Sequence, residues 1–151
     1  MKFKSTNSEI INVYFGNEVQ IVKPLNLYGC HIGNNCFIGP FVEIQKNVKI
    51  GNYTRVQSHS FICELTTIGD HCFVGHGVMF TNDKFDNGKL AGGKKNWIKT
   101  NIGNNVLIGS NSTILPVDIC DNVVIGAGSV VTKSIKTPGV YFGNPARKKI
   151  A

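Results

Sequence analysis

The sequence predicts an all-β fold, a parallel β-helix, and three observations predict it. The first is a six-residue beat of apolar positions: Ile32, Ile38, Ile44, Ile50, Val56, Ile62, Ile68, Val74 and Phe80, resuming at Ile102, Ile108 and Ile114 and again at Ile119, Ile125 and Val131. That period fits neither an α-helix nor a free strand, and fixed-period self-similarity marks stacked repeats. The second is the composition of the neighbouring slots. Slot two is often Gly (Gly33, Gly39, Gly51, Gly69, Gly75, Gly103, Gly109, Gly126), and slot five is small or β-branched, as at Cys36, Val42, Thr54, Ser60, Val106 and Ser129. The third is the pair between them, often Asn-Asn, Asp-His or Lys-Asn. Asn, Asp and Gly tolerate left-handed backbone and so make the bend.

Each six-residue unit is therefore a short strand plus a turn, with slot one pointing into a narrow core. Three units close a triangle, so one coil takes eighteen residues and coils stack by parallel pairing. The beat loses one residue from Leu27 to Ile32 and again from Ile114 to Ile119, and a shortened turn is expected at each. Between Phe80 and Ile102 the rhythm stops for a polar, glycine-rich, basic stretch, TNDKFDNGKLAGGKKNWIKT. Segments of this length inside a compact repeat are usually functional or disordered. One domain is predicted over residues 1–151, with 83–97 as a loop thrown out from one corner and 134–151 as a C-terminal tail.

Composition narrows the function classes. No apolar run is long enough to span a bilayer, and the Met-Lys-Phe-Lys-Ser-Thr start has no apolar stretch of signal-peptide type, so a cytoplasmic location is expected. The five cysteines, Cys30, Cys36, Cys63, Cys72 and Cys120, include no CxxC pair. Packed free thiols are expected, without disulfides or a metal role. The net charge of +7 comes from lysines scattered over turns, with small clusters at Lys94-Lys95 and Arg147-Lys148-Lys149. Without aromatic-basic interleaving or a recognition helix, this charge suits small polyanions rather than nucleic acid.

Counting in eighteens gives three columns of turn residues. The first corner holds Asn34-Asn35, Asn52-Tyr53 and Asp70-His71; the second holds Pro40-Phe41, Ser58-His59 and His76-Gly77. The third holds Lys46-Asn47, Glu64-Leu65 and Asn82-Asp83, where the interruption begins. Glu64 and Asn82 should stack about 4.8 Å apart in backbone spacing, with Lys46 one coil further. A carboxylate, an amide and an ammonium thus gather beside the inserted segment, which makes this column the site candidate.

With this repeat the chain resembles the left-handed β-helix acyltransferases built from hexapeptide repeats, over roughly two-thirds of its length. The left hand and a homotrimer with active sites between subunits are what the resemblance implies. Phe73 to Asp83 contains FxGxxVxFTND, most similar to bacterial nucleotide-sugar N-acetyltransferases that acylate a 3-amino sugar for surface polysaccharide. In that group the Asn of TND lies near the reacting amine, and Asn82 matches it. In the bacillosamine type a His base holds the third slot one repeat before an IGD; ICELTTIGD puts Glu64 there. In the thiogalactoside type the catalytic His follows a YT-like start of the loop, and here that place is Lys84. Asp83 and Lys84, with Lys46, are substrate-binding candidates. IGAGSVVTK and GNPARKK resemble the acetyl-CoA end of the family, which implies cofactor contacts at Gly109, Gly126, Ala127, Lys133, Arg147 and Lys148 and no metal.

The chemistry agrees with that resemblance. An amine attacking a thioester must be unprotonated, aligned and close to the carbonyl, and positioning alone removes much of the barrier. Glu64 can accept the proton, Asn82 can orient the amine, and His76 is a further base candidate because its ordinary pKa suits the task. Three alternatives compete. One is an O-acetyltransferase of the same fold, and another a non-catalytic β-helix scaffold. The third is a γ-class carbonic anhydrase-like metalloprotein, suggested by the five-residue spacing of His71 and His76, although both fall in slots that do not match that family's ligands.

Overall fold

A computed structural model describes residues 9–150. Strands of mostly two residues alternate with bends and fall into three sheets of seven, six and eight strands. The chain visits the sheets in turn, so neighbours in each sheet come from successive coils and pair in parallel. It is a left-handed parallel β-helix of about seven coils.

The apolar beat becomes three vertical columns. Leu27, Ile44 and Ile62 stand in register in one sheet, Ile32, Ile50, Ile68, Ile102 and Ile119 in the second, and Ile38, Val56, Val74, Ile108 and Ile125 in the third. All are buried and form one core with the slot-five residues Cys36, Val42, Val48, Cys72, Val78, Val106 and Val123. The helix begins earlier than the beat suggests. Ile10 pairs with Leu27, Phe15 with Ile32 and Ile21 with Ile38, which adds a coil before the regular run. Both five-residue gaps are short corners that preserve register, since Ile102 still faces Ile119 and Phe15 faces Ile32.

Polar slot-five residues satisfy the neighbouring coil. Thr54 Oγ1 donates to the Gly69 carbonyl at 2.9 Å, Ser60 Oγ to that of Gly75 at 2.8 Å, and Cys72 Sγ to that of Gly103 at 3.1 Å. A small hydroxyl or thiol fits because it closes a hydrogen bond inside the core rather than leaving a polar atom unpaired. None of the five cysteines is in a disulfide; Cys30, Cys36, Cys63 and Cys72 are buried and Cys120 half-buried.

The corners are left-handed bends, as the turn residues imply. Slot four has positive φ at Asn35, Asn47, Asn105, Asn111 and Asn122, but also at Phe41, Tyr53, His59, Leu65 and His71. Bulky residues rarely accept this backbone. Stacking along the column compensates: Phe41 lies on His59 with ring centroids 4.8 Å apart, and Tyr53 on His71 at 4.9 Å and 2°. At the first corner an Asn/Asp ladder does similar work. Asn52 Oδ1 accepts the Asn34 N–H at 2.9 Å, Asp70 Oδ1 accepts that of Asn52 at 2.7 Å, and Asn104 Oδ1 accepts that of Asp70 at 2.8 Å.

The interruption leaves between Met79–Phe80 and Thr100–Ile102 and carries two single-turn 3-10 helices, Asp86–Gly88 and Lys94–Asn96. Its neck is closed: the Ile98 N–H donates to the Asn82 carbonyl at 2.9 Å, and the Thr100 N–H to that of Leu65 at 3.2 Å. Beyond Val131 the chain keeps stacking. Ile135 bridges Ile119, Gly139–Phe142 pairs with Val123–Ile125, and Arg147–Lys148 turns back antiparallel on it.

Candidate functional site

The three corners differ in slot two, and the difference selects one of them. After the core residues of the first corner come Gly16, Gly33, Gly51, Gly69 and Gly103, with Cys120 the exception after Ile119, and four of the second corner's are Gly39, Gly75, Gly109 and Gly126. These glycines are required by stacking: a Cβ on Gly39 would lie 2.8 Å from the Ser58 nitrogen, and one on Gly109 would collide with the Ala127 backbone. At the third corner slot two holds Tyr28, Gln45, Cys63, Thr81, Leu115 and Thr132, with no glycine. Side chains replace bare backbone there, and a polar cluster fills the space.

Glu64 is the centre of that cluster. It is 7% exposed, the only buried charged residue among those described. Its backbone N–H donates to Gln45 Oε1 at 3.2 Å, and Gln45 Nε2 donates to Glu43 Oε1 at 3.2 Å. Glu43 Oε1 also accepts from the Tyr28 hydroxyl at 3.3 Å. Burial, reinforced by the charge and hydrogen bond of Glu43, pushes the Tyr28 phenol above its ordinary value, so it stays a donor. Asn82 Nδ2 donates to the Glu64 carbonyl at 3.3 Å, which commits the amide nitrogen and leaves Oδ1 as an acceptor. The predicted stacking of Asn82 on Glu64 is thus present as a direct hydrogen bond.

The sequence reading missed the partner of Glu64. Lys94 Nζ, from the second 3-10 turn of the loop, lies 2.8 Å from Glu64 Oε1. The Glu64 side chain is 9% exposed and that of Lys94 57%, so the pair sits at the surface with the carboxylate recessed. The hydrogen bond to Glu64 holds the Lys94 ammonium above its ordinary pKa, and Lys46 is a further neighbour on the next coil. Lys94 also lies 5.4 Å from the centre of the Trp97 ring. No periodicity signals this pairing. The missing glycines of the third corner would have pointed to its coil side.

Other candidates fall elsewhere. Asp83 is engaged by its own loop, Oδ1 accepting from the Phe85 N–H and Oδ2 from that of Ala91, both at 2.9 Å. Lys84 is exposed and lines a hollow with Asp86, Leu90 and Ile98. His76 stands at the second corner, away from the Glu64 column, where its Nδ1 lies 3.4 Å from Ser58 Oγ. His71, stacked on Tyr53, is at the first corner, so the two histidines do not converge. Among the described residues no group of three or more His, Cys, Asp or Glu could hold a metal ion.

The cofactor candidates divide between corners. Lys133 is exposed at the third corner, following Val131 in the Glu64 column. Gly109, Gly126 and Ala127 belong to the second corner, with Gly109 packed on Ala127 and the Gly126 N–H bonded to the Tyr141 carbonyl at 2.8 Å. Arg147 and Lys148 extend the same sheet and are exposed; Lys148 Nζ donates to Thr137 Oγ1 at 3.3 Å.

Two family patterns match this repeat: bacterial transferase hexapeptide (six repeats) over residues 29–64, and hexapeptide repeat of succinyl-transferase over residues 99–133. Together the two matches cover just under half of the chain, which is similar in its repeat to the hexapeptide-repeat transferases. The bifunctional protein GlmU of Listeria monocytogenes is 32% identical over 112 residues, 69% of this chain but 24% of that protein. The chain therefore spans about a quarter of the length of such curated relatives. A hexapeptide-repeat-containing acetyltransferase of Vibrio cholerae, solved in complex with acetyl coenzyme A, superposes with a TM-score of 0.66 at 26% identity, covering 80% of this chain and 69% of that one. AntD, an N-acyltransferase from Bacillus cereus solved with dTDP and coenzyme A, shares the fold with a TM-score of 0.67 at 23% identity, covering 93% and 84%. No helix of the described residues is long and apolar enough to cross a membrane.

Proposed function

We propose that this hexapeptide-repeat protein is an acetyl-CoA-dependent N-acetyltransferase acting on the amine of a nucleotide-linked amino sugar, a 3-amino sugar for surface polysaccharide. The observation that carries the reading is the recessed Glu64 carboxylate, paired with the Lys94 ammonium, on a residue whose backbone carbonyl accepts from Asn82 Nδ2 at the neck of the loop. In this reading Glu64 takes the proton from the acceptor amine, and Asn82 Oδ1 receives an amine N–H and fixes its direction. The nitrogen attacks the thioester carbonyl, a new C–N bond forms, and the C–S bond breaks to release coenzyme A. Lys46 and Lys84 offer positive charge to the nucleotide phosphates, and Lys133, Arg147 and Lys148 to those of coenzyme A.

The division of candidates between the second and third corners supports a homotrimer with sites between subunits. The second corner of one subunit, with Gly109, Gly126, Ala127 and His76, would face the Glu64 column of its neighbour. Acetyl-CoA is the only cosubstrate in this reading, no metal takes part, and a cytoplasmic enzyme would meet both substrates. Melting curves with acetyl-CoA, followed by thiol release with a panel of nucleotide-linked amino sugars, test the proposal. Stabilisation and amine-dependent thiol release are expected; neither effect with any member would leave a β-helix scaffold as the better account.

A further inference from the structure

The Glu64–Lys94 contact brings a primary amine of the protein itself to the carboxylate that the proposed function uses as proton acceptor. Lys94 comes from 30 residues along the chain, and its ammonium meets Oε1 at 2.8 Å on the corner that also carries Asn82. The loop is pinched at its neck by the Ile98 to Asn82 hydrogen bond, so its far end folds back on the coil it left. On one side Lys94 Nζ meets the recessed carboxylate, while its own side chain is 57% exposed and open to an incoming reagent. The Trp97 ring, 5.4 Å away, limits its sideways travel.

We propose that Lys94 stands in the acceptor position of this site, and that the protein acetylates its own Lys94 Nζ from acetyl-CoA when no acceptor amine is bound. The inference rests on the N-acetyltransferase reading. In the step, the small fraction of Lys94 that gives up a proton through Glu64 Oε1 reacts, and its placement beside the thioester has to outweigh the rise in pKa that the ion pair causes. The freed nitrogen attacks the thioester carbonyl, the C–N bond forms, and the C–S bond breaks. Of the two protons the ammonium loses, one ends on the coenzyme A sulfur and the other passes through Glu64 to solvent. The product is an uncharged amide that no longer pairs with Glu64, which leaves a recessed carboxylate without its cation. Self-acetylation would therefore release the loop from the coil and clear the acceptor position. An acceptor amine that binds first displaces Lys94 and protects it.

The loop holds its own controls, because Lys84, Lys89, Lys95 and Lys99 are exposed and form no ion pair among the described residues. The full chain is incubated with acetyl-CoA and no acceptor, and acetylated peptides are quantified by mass spectrometry while a parallel melting curve reports acetyl-CoA binding. Lys94 is expected to acetylate at least about tenfold faster than Lys95, and Glu64→Gln to slow Lys94 by about a hundredfold without changing Lys95. Lys94→Arg should keep the ion pair and gain no acetyl group at that position. Stabilisation by acetyl-CoA with Lys94 unmodified, or modified no faster than Lys95, overturns the inference and leaves the enzyme reading standing. No stabilisation and no acetylation sinks both. If Glu64→Gln melts far below the parent, the ratio of Lys94 to Lys95 in the parent chain decides.

Discussion

Glu64 combines two properties that a surface turn residue lacks: it is recessed, and its backbone is tied to the coils on either side while its side chain is tied to the loop. Gln45 below holds its N–H, Asn82 above takes its carbonyl, and Lys94 closes on the carboxylate. A carboxylate so held is aligned before substrate arrives, and alignment is what an amine acyl transfer needs most. Glu64→Gln keeps the shape and removes the proton acceptor, so kcat should fall by about 10²–10⁴-fold while KM changes little. Steady-state kinetics with the acceptor found by thiol release measures the split, and a raised KM with kcat unchanged would argue against a proton-acceptor role. The cysteines give a second test at this scale. Burial pushes the thiols of Cys30 and Cys63 from 9.0 up to about 11. The folded chain thus keeps protons that the unfolded chain releases, so stability is complete below pH 9.0 and falls as pH rises towards about 11. Urea midpoints across that range should drop, and less so for a Cys30→Ala, Cys63→Ala double variant. In the native state a thiol reagent should label half-buried Cys120 first.

Individual strands here are too short to hold themselves, so each element is defined by what stacks above and below it. The first corner shows this with side chains. Asn52 Oδ1 serves both the backbone N–H and the side-chain amide of Asn34, at 2.9 and 3.1 Å, and Asn52 N–H is served in turn by Asp70. Asn52→Ala removes one rung and should lower unfolding free energy by about 1 kcal/mol, read from denaturant midpoints. The second corner shows it with absence of side chains. On Gly109 a Cβ would strike the Ala127 backbone, so Gly109→Ala must push two coils apart and should cost about 1–3 kcal/mol. Because Gly109 is also a cofactor candidate, its effect on acetyl-CoA binding has to be read at a temperature where the variant is fully folded. The third corner has no Asn/Asp ladder and no glycine in slot two, and this freedom is what lets Tyr28, Gln45 and Thr81 put side chains where the other corners need stacked backbone.

For the whole molecule, the loop and the prism are separable. The chain crosses from Phe80 to Thr100 with its neck already hydrogen-bonded, and Thr66 to Ile68 pair with Thr100 to Ile102 as though nothing intervened. Replacing residues 83–97 by a short glycine-rich link should therefore leave the melting temperature within a few degrees, since changes in loop length cost little closure entropy. Acetyl transfer should fall by about a hundredfold or more if the loop completes the site. A variant that melts normally and turns over normally would remove the loop from the mechanism.

The β-helix was legible because a stacked repeat writes its three-dimensional contacts as a one-dimensional period: Ile32, Ile50 and Ile68 lie eighteen residues apart in sequence and one coil apart in space. The first coil escaped because Ile10, Phe15 and Ile21 precede the regular run and are only partly sheltered or exposed, with weak apolar contrast. Glu64 over Lys46 and under Asn82 could be counted from the same period. The Glu64–Lys94 pair could not, because an irregular loop has no period and its return to the corner depends on its neck, its two 3-10 turns and its own hydrogen bonds. Nor did any arithmetic show that Glu64 is recessed. The sequence by itself determined the coil, its register and the corner at which it is interrupted, because those follow from burying one side chain in six. Only the tertiary structure decided what faces Glu64, because that contact joins a repeat to a segment that does not repeat.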